Sequence, residues 1–159
     1  MKKILLPLFV LLTLVCTFSC KQKSKEERIK EFQNSLTQED TTAMLKVCDD
    51  CMELLKAKKI DDAIASLYEY DDSLKQVSPL SEETAKRYKR VFSMFPVIDY
   101  TRAYYSFQLE GLNDVKYTVK FSSQDTTATT AYMFNPIRLD GQWYVTVKRA
   151  DQEIDESHR

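Results

Sequence analysis

Two cysteines three positions apart, Cys48 and Cys51 in the stretch KVCDDCMEL from Lys46 to Leu54, are the residues whose spacing comes nearest to chemistry. A Cys-x-x-Cys pair can exchange disulfides or supply half of a zinc site, and both uses have requirements that the surrounding residues oppose. A reactive thiol is activated by a helix N-terminus or a nearby cation. This pair is expected inside a helix, beside Asp49, Asp50 and Glu53. Tetrahedral zinc needs four ligands, yet no second Cys-x-x-Cys exists and the single histidine, His158, lies in the C-terminal tail. Helical neighbours hold their Cβ atoms about 5–6 Å apart, against about 3.8 Å in a disulfide, so a bridge between them would distort the turn. The reading taken is two core thiols with a packing role, with a strained disulfide as the alternative.

Other constellations exclude more than they offer. The acidic pairs Asp49-Asp50, Asp61-Asp62 and Asp71-Asp72 lack the spacing of a calcium loop and read as solvated helix faces and helix starts. With only Gly111 and Gly141 in the chain, there is no glycine-rich phosphate cradle or dinucleotide fingerprint. A serine hydrolase triad would have to recruit His158 from the tail. No catalytic residue, metal ligand or cofactor is therefore assigned. What remains is aromatic density in the C-terminal half, from which Tyr105, Tyr117, Tyr132 and Trp143 are taken as candidate lining of a pocket. Phenols and an indole give an apolar wall with a few hydrogen-bonding groups, the usual make-up of a small-ligand site, and their other role is simply to pack the sheet.

These side chains need elements to position them. Thr37-x-x-Asp40 has the form of a helix cap, and Met44, Val47, Cys48, Cys51, Leu54 and Leu55 follow at helical spacing. Ile60, Ala63, Ile64 and Leu67 repeat the pattern in a second helix. Ser78 to Glu83 offers an N-cap and acids for a third, which buries Ala85, Tyr88, Phe92 and Phe95 and stops at Pro96. The period then changes to two. Ala103, Tyr105, Phe107 and Leu109 alternate with Arg102, Tyr104, Ser106 and Gln108, and Val115, Tyr117, Val119 and Phe121 alternate with Lys116, Thr118, Lys120 and Ser122. A third strand runs from about Thr127 to Leu139, with a bulge or an edge position expected at Pro136. Asp140-Gly141 then turns into a fourth, Gln142 to Lys148. Helices followed by an antiparallel meander make an α+β fold: N-terminal helices packed on a curved four-stranded antiparallel sheet.

The N-terminus carries an address. Lys2 and Lys3 precede an apolar run from Ile4 to Val15, and the chain becomes KQKSKEERIKE directly after Cys20. A spanning helix needs about 20 apolar residues, so the run has the length of an export h-region. The segment resembles a bacterial lipoprotein signal: Ser19 precedes Cys20 as the pattern asks, although Thr17 stands where Leu is usual and Phe18 is bulky. Cys16, behind Val15, is the rival, and plain cleavage without lipid is the other outcome. The resemblance implies that residues 1–19 are removed, that Cys20 carries the lipid, and that the protein sits at the bacterial cell envelope, on the outer membrane or cell surface rather than the inner membrane. Residues 20–36 then read as a charged tether with a loose helical stripe of Ile29, Phe32 and Leu36, residues 37–150 as the domain, and 151–159 as a charged tail.

The chain carries 23 basic and 24 acidic residues, and loss of Lys2 and Lys3 with the leader makes the balance more acidic. No basic excess remains to hold a phosphate backbone, so nucleic acid is not expected as a partner. The element order, with LDGQWYVTVK from Leu139 to Lys148 as the closing hairpin, resembles the nuclear transport factor 2-like or cystatin-like roll of small exported lipoproteins. That resemblance implies a cone-shaped cavity, serving in some members catalysis and in others binding. A non-enzymatic module for a small apolar ligand or an envelope protein is expected. The alternative is a cavity enzyme of the ketosteroid-isomerase kind, which needs a buried acid facing a phenol.

Overall fold

In the computed structural model the described residues are 23–108, 113–125 and 127–147. The candidate lipidation site Cys20, its rival Cys16, the leader and the tail with His158 lie outside them. Chain order runs α1 (Lys25–Ser35), α2 (Gln38–Lys56), α3 (Ile60–Ala65), β1 (Leu67–Asp71), β2 (Gln76–Pro79), α4 (Glu82–Met94), β3 (Asp99–Ser106), β4 (Asp114–Lys120), β5 (Thr129–Phe134), β6 (Ile137–Leu139) and β7 (Gln142–Thr146). No helix among them is long and apolar enough to cross a membrane.

The stretch expected to be a tether holds α1. Ser24 caps it and Glu27 returns the bond to the Ser24 backbone at 2.9 Å, closing a capping box. Phe32 is buried, and the Gln33 amide donates to the Phe107 carbonyl at 2.7 Å, so the helix docks on the roll. A second capping box, Thr37 with Asp40, starts the 19-residue α2. Met44, Cys48, Cys51, Met52 and Leu55 make its buried stripe, with Val47 and Leu54 half-buried beside them. It ends on Lys58 at φ 62°, the left-handed conformation that usually selects glycine.

The four-stranded antiparallel meander is corrected, among the described residues, to seven strands in two hydrogen-bonded groups, ordered β2-β1-β7-β6 and β3-β4-β5. The additional hairpin β1–β2 begins at Leu67, the last residue of the stripe expected for the second helix, and continues through a stretch given no element from sequence. Leu67 fits both the helical stripe and an alternating strand, but α3 stops at Ala65 and β1 pairs in parallel with β7, which makes the first group mixed. Such a pairing joins residues far apart in sequence and leaves no local periodicity.

The expected third strand divides at Asn135-Pro136. Pro136 has no N–H for a ladder, and the chain changes partner there: β5 pairs with β4, whereas the Asn135 N–H donates to the Thr146 carbonyl at 2.9 Å and extends the β6–β7 hairpin. Buried Asn113 holds the corner, its amide donating to the Pro136 carbonyl at 3.0 Å while its oxygen accepts from the Gln108 N–H at 3.1 Å. One continuous stretch thereby serves both groups. Val115, Tyr117, Val119, Phe134, Trp143 and Val145 form the buried inner face with Met44, Cys48, Met52 and Leu67.

A second correction concerns β3. Its pairing with β4 slips between Arg102 and Tyr104. The bulged Ala103 reverses the phase, because side chains in a strand alternate and one inserted residue shifts every earlier one to the other face. Tyr100 and Arg102, opposite Val119 and Tyr117, therefore share the inner face with Tyr105, opposite Val115. The sequence pattern had placed Arg102 on solvent and Ala103 inside.

Candidate functional site

Turning Arg102 inward assembles a polar cluster between α2 and the β3–β4 pair. The Tyr117 hydroxyl donates to Asp49 Oδ1 at 2.6 Å, and Arg102 Nη2 donates to Asp49 Oδ2 in a closer bond. One turn on along α2, Glu53 Oε1 accepts from the Tyr100 hydroxyl at 2.7 Å. The two rings meet edge-on, centroids 5.5 Å apart. Lys56 completes the row, its ammonium 3.0 Å from Asp99 and 5.7 Å from the Tyr100 ring centroid. Asp49, Glu53 and Lys56 share one helix face because residues three and four apart do so. Tyr117 reaches them through the regular alternation of β4; Tyr100 and Arg102 meet them only because of the bulge.

Electrostatics sets the roles. Tyr117 has 0% of its surface exposed, and its phenol pKa is pushed up by burial first and by the bond to Asp49 second. Tyr100 is raised for the same two reasons, with Glu53 as the acceptor. Both phenols therefore stay protonated donors, and both carboxylates act as acceptors. The Asp49 and Arg102 side chains are 34% and 32% exposed, so water reaches the rim of the cluster but not the phenol. A second interior carboxylate, Glu69 on β1, accepts from the Ser81 hydroxyl at 2.7 Å and the Ser81 N–H at 3.3 Å, at the N-terminus of α4 where the helix dipole favours an anion. Neither Asp49 nor Glu69 was singled out as a site residue from sequence.

The four candidate pocket residues stand in different surroundings. Tyr117 belongs to the cluster above. Tyr132 is buried, donates its hydroxyl to the Phe95 carbonyl and meets the Phe92 ring at 5.1 Å. Burial raises its phenol to about 12. Trp143 is buried against Phe107, with centroids 6.2 Å apart, and its indole N–H has no hydrogen-bond partner among the described residues. Tyr105 stands at the sheet margin with 46% of its surface exposed, 6.0 Å from Phe107. The interior of the roll is thus packed with rings. The concavity that Tyr132 reaches is a groove of about 250 Å³ between α4 and β5, lined by Arg87, Tyr88, Val91, Phe92 and residues 131–134.

Cys48 and Cys51 are both free and buried. Burial pushes Cys51 up to about 12 and Cys48 higher still, with Cys51 and Asp49 adding to the shift at Cys48. Neither is a thiolate at neutral pH. No group of three or more metal-ligating side chains converges among the described residues.

No protein-family model matches this chain, and no curated protein does. Among solved structures, it is similar to a Campylobacter jejuni protein provisionally named an NTF2-like transpeptidase, with 13% identity, a TM-score of 0.42, and 70% of this chain and 100% of the other covered. A likeness of that size carries no inference about activity, and the α+β architecture stands on the geometry given above.

Proposed function

We propose that this chain is an exported lipoprotein, held at the cell envelope through a diacylated Cys20, whose nuclear transport factor 2-like roll is a binding or interaction module without turnover. The observation that carries the second half is the state of Asp49. An isomerase-like site needs a carboxylate free to take a substrate proton opposite a phenol that stabilises the oxyanion. Asp49 faces Tyr117 as such a site requires, but one oxygen accepts from that phenol and the other from Arg102, so the base and the donor are consumed by each other. Glu69 is likewise engaged by Ser81. The buried rings of Tyr117, Phe134 and Trp143 inside the roll favour recognition at its surface.

The test is proton exchange at carbon next to a carbonyl. The folded chain is incubated with cyclic ketones in deuterated buffer, and the expected result is exchange at the buffer rate, the same for wild type and Asp49→Asn. Exchange above background that disappears in Asp49→Asn would establish the isomerase reading instead.

A further inference from the structure

We infer that the groove between α4 and β5 is a docking site for an extended, acidic polypeptide segment that adds to the sheet beside β5. The inference rests on reading the domain as a binding module and names the partner that this module takes. Successive side chains of a strand point to opposite faces, so a concavity on one face of a sheet touches every second residue. This groove touches four in a row, Ala131, Tyr132, Met133 and Phe134. Its wall is therefore the edge of the strand. Among the described residues β5 is the last strand of its group, paired with β4 on one side alone.

An edge strand offers a row of backbone donors and acceptors, and an extended chain is the ligand that satisfies such a row. The facing wall is the α4 stripe of Tyr88, Val91 and Phe92, apolar and suited to a side chain projecting from the added strand. A volume of about 250 Å³ is below the roughly 300–1,000 Å³ that encloses a small ligand. It is room for side chains of a strand whose backbone lies along β5. Charge selects the sign of the partner. Arg87 lines the groove with its guanidinium 4.9 Å from the Tyr88 ring centroid, and Arg90, three residues on along α4, is exposed and supplies the charge. The helix acids that would oppose an anion, Glu82 and Glu83, are set back in the first turn, where Glu82 is paired with Lys86 at 2.6 Å.

The experiment uses the full chain, isolated from membranes in detergent, and a fluorescein-labelled peptide of alternating Glu and Val with one central Tyr. Its companion is the same peptide N-methylated on alternate backbone nitrogens, which keeps the side chains and removes the donors of one edge. Anisotropy is expected to show saturable binding, weakened at least tenfold by methylation and by the groove-filling Val91→Phe, and several-fold by Arg90→Glu, with unchanged melting temperatures. Amide shifts should fall on Thr129–Phe134 and α4. Equal affinity for both peptides, no saturable binding, or shifts on β3 instead would overturn the proposal. So would self-association of the wild type that Val91→Phe abolishes, since the occupant would then be a second copy. Fatty-acid labelling at Cys20 and ketone exchange are read separately, so failure here is distinct from failure of the lipoprotein or non-enzymatic readings.

Discussion

Tyr117 on β4 donates its buried hydroxyl to Asp49 on α2 at 2.6 Å, joining two residues 68 positions apart in sequence. A hydrogen bond to a charged group contributes about 1.5–3 kcal/mol, and no water replaces it at a fully buried phenol. Tyr117→Phe is expected to lower unfolding free energy by that amount in urea melts. Asp49→Asn should cost a similar amount, and the double variant less than the sum, because both changes remove one bond. Strict additivity would show that the contact is not coupled.

The buried thiols make an alkaline prediction. A thiol whose folded pKa lies above its unfolded value binds its proton more tightly in the native state. Its contribution is complete below about pH 8.5, the unfolded value, and declines as pH rises toward the folded value, about 12 for Cys51. Stability of the wild type should therefore fall between about pH 8.5 and 11 more steeply than that of the double variant Cys48→Ala, Cys51→Ala. At neutral pH the double variant should cost about 1–3 kcal/mol. Rapid iodoacetamide labelling of both thiols in the folded chain at pH 8 would contradict this placement.

Lys58 closes α2 in the left-handed region, at φ 62°, where a Cβ crowds the following carbonyl at a cost of about 1–2 kcal/mol. Its N–H and that of Lys59 donate to the Leu55 and Leu54 carbonyls, as in a glycine-terminated helix. Lys58→Gly is expected to raise stability by about 0.5–1 kcal/mol, the gain at the left-handed position being offset in part by the greater freedom of glycine in the unfolded chain. A calorimetric melting temperature decides the sign.

Anchoring is tested in the parent organism or a bacterial host that lipidates exported proteins. Radiolabelled palmitate should mark the wild type and not Cys20→Ala, and globomycin-type inhibition of lipoprotein signal cleavage should leave a heavier precursor. Label that persists in Cys20→Ala and disappears in Cys16→Ala would move the lipid to Cys16. Absence of label in the wild type would leave plain export.

Elements whose signals are local were legible in the residues. The Thr37–Asp40 cap, the buried stripe through Met44, Cys48, Cys51 and Leu55, the stop of α4 before Pro96, and the inward set Val115, Tyr117 and Val119 each follow from a cap, a period or a missing N–H within a few residues. So does the burial of both cysteines. The docking of α1 was half-visible, since Ile29 and Phe32 are spaced as a stripe but charged residues surround them.

Only tertiary structure decided the rest, because the deciding contacts are distant in the chain. β1 is five residues long and held in part by parallel pairing with β7, which no local pattern announces. The partner change at Asn135-Pro136 needs Thr146 in place. Most consequential is Ala103: a single bulged residue leaves the composition of β3 untouched, yet it turns Arg102 and Tyr100 inward. The Asp49–Tyr117–Arg102 cluster exists because of that slip. Alternation in sequence records which side chains share a face only while the register is unbroken, and register is set by the neighbouring strand.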